Sequence, residues 1–490
     1  MTPLNMHNRA MVFLSILSSR FGRLLIFALT LTPGVNAHQQ PVAFVDVAVV
    51  PMDKDQILTH QTVVVAGGRI TQVGALSVVK VPRGALKVSG RGRYLMPGLA
   101  DMHVHLIRSL PNVKFQSSNT GSSSHPTIIP TSASDDHERE NRALGLLFVA
   151  NGVTTVRNMW GDPAVDAFAK QVDSGGAVGP HIYSTGPITD GSPLTWEGSR
   201  VVETQSQAEA AAREDKAAGY VALKVYNGLS TDAYKWLVLA ARAQDLLIVG
   251  HVPDAVGLQG VIAARQDSIE HLDGFWEALQ PDPSTAPGPR KPLMETVDLG
   301  KLPALVELLR AAGVWNCPTL DLDRVLPDDD EWRRRTGLIP PAILERYHKA
   351  FAKWHADPER TRRIFALQIS IARGLHHGGA RLLLGTDTPK PTVLPGFSLL
   401  EELQNFVEAG LTPYEAIRAG TSDAAMFLHQ ENEFGTVAIG RRADLLLLEA
   451  NPLEDANNVS KRVGVMANGH WFAEAELRQR LAASSISNQH

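Results

Sequence analysis

The chain has 490 residues, with 47 basic against 51 acidic side chains and a net charge of −4, and no basic tract, so composition gives nucleic-acid binding no electrostatic support. Hydrophobic residues make up 44% and charged residues 20%, the balance of a folded chain long enough for two domains or for one large barrel with an accessory unit. The single cysteine, Cys317, excludes an intrachain disulfide and a cysteine-based zinc finger; it reads as a buried thiol ahead of a nucleophile.

Residues 1–37 read as an export signal. Arg9, Arg20 and Arg23 supply positive charge, Leu24–Leu31 forms an apolar core too short to span a bilayer, and Val35-Asn36-Ala37 offers small residues for cleavage. Cleavage after Ala37 gives a periplasmic or secreted chain with no stable membrane insertion. The alternative is an uncleaved anchor, since Met11–Leu17 adds a second apolar stretch. Residues 38–97 read as β structure: Val42–Val50 and Thr62–Ala66 are rich in valine, and Gly67-Gly68 marks a hairpin turn before Arg69-Ile70. Within 431–478, Gly435–Ile439, Ala443–Leu448 and Val463–Trp471 resume the pattern, and 479–490 reads as a tail. The two β-rich ends are expected to pair into a small β-sandwich.

The middle, 98–430, alternates short apolar strands with helices. The expected strands are Met96–His105, Gly152–Asn158, His181–Thr185, Val221–Tyr226, Leu246–His251, Asp267–His271, Val314–Pro318 and Ala380–Asp387. Helical spacing marks Ser206–Ala218, Thr231–Gln244 behind a Ser230 cap, Leu302–Ala312 and Leu399–Ala409. Thr412-Pro413-Tyr414-Glu415 spells a capping box with proline at the first helical position. Eight strands alternating with helices predict an α/β fold, a (β/α)8 TIM barrel. A doubly wound sheet is the runner-up, without a glycine-rich nucleotide fingerprint to support it. Three inserts, Asn112–Asp136, Gln280–Glu295 and Asp321–Pro341, follow strands one, six and seven and would overhang the C-terminal face, where barrel active sites lie.

Chemistry-bearing residues collect at those strand ends. Strand one closes on His103-Val104-His105, two imidazoles on one strand face, as a metal ion requires. Strand four carries Lys224, strand five ends in His251, strand six in His271 and strand eight in Asp387. Taken singly, each reads as a hydrogen-bonded histidine, a snorkelling lysine or a turn-forming aspartate; together they read as a metal centre. Tyr226, two residues after Lys224, is a candidate donor to a substrate carbonyl, or a packed aromatic at the rim.

These residues resemble those of the amidohydrolase superfamily, of the type with two metals and a carboxylated lysine. The Pro-Gly-x-x-Asp-x-His-x-His pattern matches at Pro97, Gly98, Asp101, His103 and His105, and the later Lys, His, His and Asp match at Lys224, His251, His271 and Asp387. Gly435-Thr436-Val437 and Gly440–Leu445 resemble the family's return to its β-sandwich. The resemblance covers residues 40–475, in a style close to imidazolonepropionase-like and prolidase-like members. It implies two divalent ions, with zinc expected. His103, His105 and Asp387 would hold one ion, His251 and His271 the other, and carboxylated Lys224 would bridge them.

It also implies a metal-bridging hydroxide as nucleophile and Asp387 as proton carrier. The reaction would be cleavage of an amide or other C–N bond in a small molecule such as a dipeptide, an N-acyl amino acid or a cyclic amide. Lactone or phosphoester hydrolysis would use the same site. Deamination is less suited, because His251-Val252-Pro253-Asp254 lacks the glutamate common in family deaminases. A non-catalytic binding relative would lack several of these ligands. Assembly into a homo-oligomer is compatible with this reading.

Overall fold

The computed structural model describes residues 40–108, 137–281, 296–324, 357–390 and 392–486. The expected export signal and the insert at 112–136 lie outside the described residues, as does most of the inserts at 280–295 and 321–341. Among the described residues no helix is long and apolar enough to cross a membrane.

The N-terminal strands are β1 (Val42–Val49), β2 (Leu58–Ala66), β3 (Arg69–Ala75), β4 (Leu86–Ser89) and β5 (Tyr94–Pro97). Gly67 and Gly68 make the β2–β3 turn at φ +58° and +74°, the left-handed conformation that glycine adopts without steric cost. The chain then enters β6 (Leu99–Val104), β7 (Val153–Asn158) and β8 (His181–Ser184), which form a three-stranded parallel sheet. A seven-stranded parallel sheet contains β9 (Thr189–Asp190), β10 (Arg200–Val201), β11 (Ala222–Val225), β12 (Leu247–Gly250), β13 (Ser268–Glu270), β14 (Trp315–Cys317) and β15 (Arg381–Leu382), in the order β10-β9-β11-β12-β13-β14-β15. Finally β16 (Leu445–Leu448), β17 (Arg462–Ala467) and β18 (His470–Ala473) join the N-terminal strands in one eight-stranded sheet. The seam between the two ends is β5 against β16, antiparallel from Leu445–Pro97 to Leu448–Tyr94. Phe44, Val63, Leu95, Leu445, Leu447 and Met466 form its core.

All eight expected parallel strands are present. The expected first strand, Met96–His105, divides at Gly98: β5 belongs to the terminal sheet and β6 to the parallel one. A Cβ on Gly98 would lie 2.1 Å from Thr154 Oγ1, so only glycine fits where the chain passes from one sheet to the other. Of the eighth strand only Arg381–Leu382 is regular, yet the chain continues alongside β6: Met102 N donates to Leu384 O at 2.9 Å, Asp387 N to His103 O at 2.7 Å and His105 N to Thr388 O at 2.7 Å. A parallel bridge also ties Thr185, just after β8, to Ala222. Strands β9 and β10 were not expected, Gly435–Ile439 forms no strand, and a helix at Glu474–Ile486 runs across the expected boundary at 478.

The helices follow their local signals. Ser230 caps Thr231–Ala243, and Thr412 with Glu415 forms the expected capping box before Pro413–Ala419. A second box, Thr204 with Gln207, starts Gln205–Ala218. The segment after β14 is pinned to the helix Phe397–Glu408: Leu320 N and Asp321 N donate to the two oxygens of Glu402, each at 2.8 Å. Glu402 is fully buried, and burial pushes its carboxyl from the usual 4.5 up to about 7 against those hydrogen bonds.

This value has a consequence for stability. Below pH 4.5 Glu402 is protonated folded and unfolded alike; as pH rises from 4.5 to about 7 the unfolded chain ionises this carboxyl while the folded chain keeps it protonated, so stability falls across that window and levels off above it. The Glu402→Gln variant should therefore gain stability relative to the parent by about 3 kcal/mol between pH 4.5 and pH 8. Urea unfolding at a series of pH values measures it, and a constant difference between the two proteins would contradict it.

Candidate metal centre

The six predicted ligands all lie at C-terminal ends of parallel strands. His103 is in β6 and His105 follows it, Lys224 is in β11, His251 follows β12, His271 follows β13, and Asp387 closes the extended segment after β15. Local backbone places them. The β6–β7 pairing slips register between Asp101 and Val104, an irregularity of the kind that re-aims a strand's side chains. His271 and Asp387 sit at φ +60° and +65°, left-handed conformations that turn the chain at the strand ends.

The structure brings them together. Asp387 lies among three imidazoles, with Oδ1 3.5 Å from His103 Nε2 and 3.2 Å from His105 Nε2, and Oδ2 3.8 Å from His271 Nε2. His103, His271 and Asp387 place donor atoms within 4.8 Å of one another. Lys224 Nζ is 3.5 Å from His103 Nε2, and the His251 ring centre is 5.0 Å from that of His271. The sixth strand end and the first thus share one cluster, although the family resemblance assigns His103 and His271 to different ions.

Three of the four rings are held from behind. His103 Nδ1 is 2.9 Å from Glu270 Oε2, His251 Nδ1 is 2.7 Å from Asn227 Oδ1 and His271 Nδ1 is 2.8 Å from Thr319 Oγ1. A ring nitrogen fixed in this way leaves Nε2 as the lone-pair donor. Among the described residues His105 has no such partner on Nδ1.

Burial sets the charge states. Desolvation, helped by the Lys224 charge, holds His103 well below the usual histidine range and His105 at about 4; desolvation also depresses His251 and His271. All four are therefore neutral imidazoles, the form that ligates metal. Burial opposes the charge on Asp387, but the paired Lys390 ammonium, with the polar imidazoles beside it, outweighs burial and keeps the carboxyl ionised well below the usual range. Lys224 is brought down to about 8 by desolvation, only partly offset by Asp387 and Glu270. Three neutral imidazoles around an ionised carboxylate, with a fourth beside them, form a donor set that fits divalent metal.

Tyr226 packs against this cluster, its ring centre 4.1 Å from that of His251. Trp196 Nε1 donates to the Tyr226 oxygen at 2.8 Å, which leaves the phenol hydrogen for another acceptor, and burial pushes the phenol pKa up so that it stays protonated. Cys317 is fully buried and burial pushes its thiol well up, which removes the nucleophile reading.

The reading of the residues missed Glu270, Arg157, Asn227, Thr319 and Lys390. Glu270 and Arg157 have no solvent exposure; Arg157 donates to both Glu270 oxygens at 2.9 Å, to Ser268 Oγ at 3.0 Å and to Met102 O. Strict strand alternation places Glu270 opposite His271, and the left-handed turn at His271 defeats that rule. Lys390 pairs with Asp387 from three residues downstream, a spacing with no signal of its own.

The family model for the Amidohydrolase family matches residues 94–472, and the chain belongs to that family, whose members act on C–N bonds. It is 24% identical over 404 residues to ochratoxinase of Aspergillus niger, a match covering 74% of this chain and 71% of that protein. Adenine deaminase of Rubrobacter xylanophilus is 30% identical over 174 residues, covering 34% of this chain and 25% of that protein. Among solved structures, a bottromycin amidohydrolase superposes with a TM-score of 0.65 at 22% identity, over 92% of this chain and 91% of that one. A Xaa-Pro dipeptidase with bound methionine gives 0.63 at 19% identity, over 89% of this chain and 100% of that one. These structural likenesses show the fold, and the family match bears out the resemblance read from the motifs.

Glu270 joins the candidate ligand His103 to a buried guanidinium. The Glu270→Gln variant should bind divalent metal 10- to 100-fold more weakly (roughly), as loss of a ligand's hydrogen-bond partner does. It should also lose about 3–5 kcal/mol of stability, because Arg157 is left buried without its counter-charge. Chelator competition and urea unfolding measure the two effects; unchanged metal affinity would contradict the positioning role.

Proposed function

We propose that this protein is a two-metal hydrolase that cleaves an amide bond in a small-molecule substrate, within a closed (β/α)8 barrel carrying a β-sandwich built from both chain ends. Support for closure comes from the contacts of β6 with the 384–388 segment on one side and the Thr185–Ala222 bridge on the other. The observation that carries the function is the ring of three Nε2 atoms within 3.8 Å of Asp387, backed by Glu270 and Thr319 on the far side of two of the imidazoles.

His103, His105 and Asp387 would hold one ion and His251 with His271 the other, with zinc the expected metal for this donor set. Lys224 would join them as its carbamate. At a pKa of about 8 a useful fraction is the free amine, which adds CO2 and loses a proton. Bound here, divalent ions would polarise the scissile carbonyl and acidify the attacking water. Asp387, ionised and buried, accepts the water's proton and returns it to the leaving nitrogen. Tyr226, its oxygen already accepting from Trp196, donates its hydrogen to the carbonyl oxygen as negative charge grows there. The first 37 residues are proposed to export the chain to the periplasm or beyond.

Elemental analysis of the purified protein should find about two divalent ions per chain. The Lys224→Ala variant should retain less metal and lose at least about a hundredfold in kcat/KM toward amides. Full metal content with full activity in that variant would contradict the bridging role.

A further inference from the structure

Arg108 stands three residues beyond His105, and nothing in the chemistry above uses it. It has no solvent exposure, and among the described residues Nε, Nη1 and Nη2 all lack a hydrogen-bond partner. Its guanidinium lies over the Trp160 ring, 3.4 Å from the ring centre. A buried cation whose donors are all unmet is a costly feature, and buried guanidinium groups are otherwise paired. Asp162 is the nearby acid that supports its charge, but that carboxylate caps the helix Pro163–Asp173, accepting from Ala164 N at 2.8 Å. Burial lowers the Arg108 pKa only to about 10, so the group is a cation at neutral pH.

The surroundings join it to the metal centre. Trp160 follows β7, and it clusters with Ile188 and Trp196, both beyond β8, while Tyr226, just after β11, packs on that cluster. Tyr226 in turn stacks on His251. Arg108 itself follows β6, so the guanidinium, the aromatic group and the ligands all emerge from the same ends of neighbouring strands. A guanidinium presents a planar fork that matches a carboxylate in two hydrogen bonds. The aromatic wall beside it suits an apolar or aromatic side chain.

We propose that Arg108, backed by Trp160, receives a carboxylate of the substrate, so that the bond cut is the amide of an N-acylated amino acid with an apolar side chain. This rests on the amide-hydrolase reading above and gives it a substrate class. The carboxylate satisfies the guanidinium, and the side chain beside it covers Trp160, Trp196 and Tyr226.

The test uses the full, metal-loaded protein with N-acetyl-L-phenylalanine and with N-acetylphenethylamine, the same amide without the carboxylate, following acetate release. The parent should favour the acid by about a hundredfold or more in kcat/KM, mainly through KM. In Arg108→Met that ratio should fall at least about tenfold, and Arg108→Lys should restore part of it. A ratio near one in the parent, or one unchanged in Arg108→Met, overturns the assignment. If the parent cleaves neither compound, the hydrolase reading fails, and calorimetric binding of N-acetyl-L-phenylalanine then judges Arg108 by itself. Binding that is lost in Arg108→Met supports the carboxylate site; equal binding, or none to the parent, overturns it. Metal content and near-UV circular dichroism of each variant report that the fold is kept.

Discussion

The buried carboxylate of Glu270 is the point on which the candidate metal centre depends. It takes two hydrogen bonds from Arg157 and faces Nδ1 of His103, with all three residues shielded from water. Arg157 reaches back to Met102 O, so β6, β7 and β13 are tied through one charge pair. A buried pair of this kind adds little net stability over an apolar equivalent, but removing one partner is expensive. What it provides is orientation: His103 cannot turn its ring without losing its Glu270 partner. Thr319 and Asn227 do the same for His271 and His251 with neutral groups. Thr319 is in turn fixed by the segment that Glu402 holds through two backbone N–H groups.

The same low-dielectric surroundings account for the ionisation pattern. Desolvation keeps four histidines neutral and Lys224 within reach of its amine form, while Asp387 stays charged because cationic and polar neighbours outweigh its burial. A centre with neutral nitrogens, one fixed carboxylate and one convertible lysine is arranged for cations. Arg108 differs from the buried cations Arg157 and Lys390 in having no carboxylate hydrogen-bonded to it among the described residues, which is why a substrate anion is proposed as its partner.

Much of this was legible in the residues because it obeys local rules. Gly67-Gly68 required a positive-φ turn, Ser230 and Thr412 announced helix starts, and the eight apolar runs each became strands. The six candidate ligand positions were legible because the motif fixes residue type at strand ends, and the structure gathers His103, His105, His271 and Asp387 with Lys224 and His251 beside them. Elements set by tertiary contact were not legible. Gly98 divides one apolar run between two sheets because Thr154 crowds it, the chain before Asp387 is held extended by β6 rather than by regular pairing, and Glu270 escapes strand alternation through the turn at His271. Arg108 gave no signal, because its meaning lies in having no hydrogen-bond partner among the described residues.

The central claim is that the six residues form one two-metal centre bridged by Lys224. Crystals of the metal-loaded protein, with anomalous diffraction collected on both sides of the zinc edge, test it most directly. The account predicts two anomalous peaks, one against His103, His105 and Asp387 and one against His251 and His271, with carbamate density on Lys224 between them. A single peak, peaks away from these residues, or an unmodified Lys224 amine beside two bound ions would contradict it.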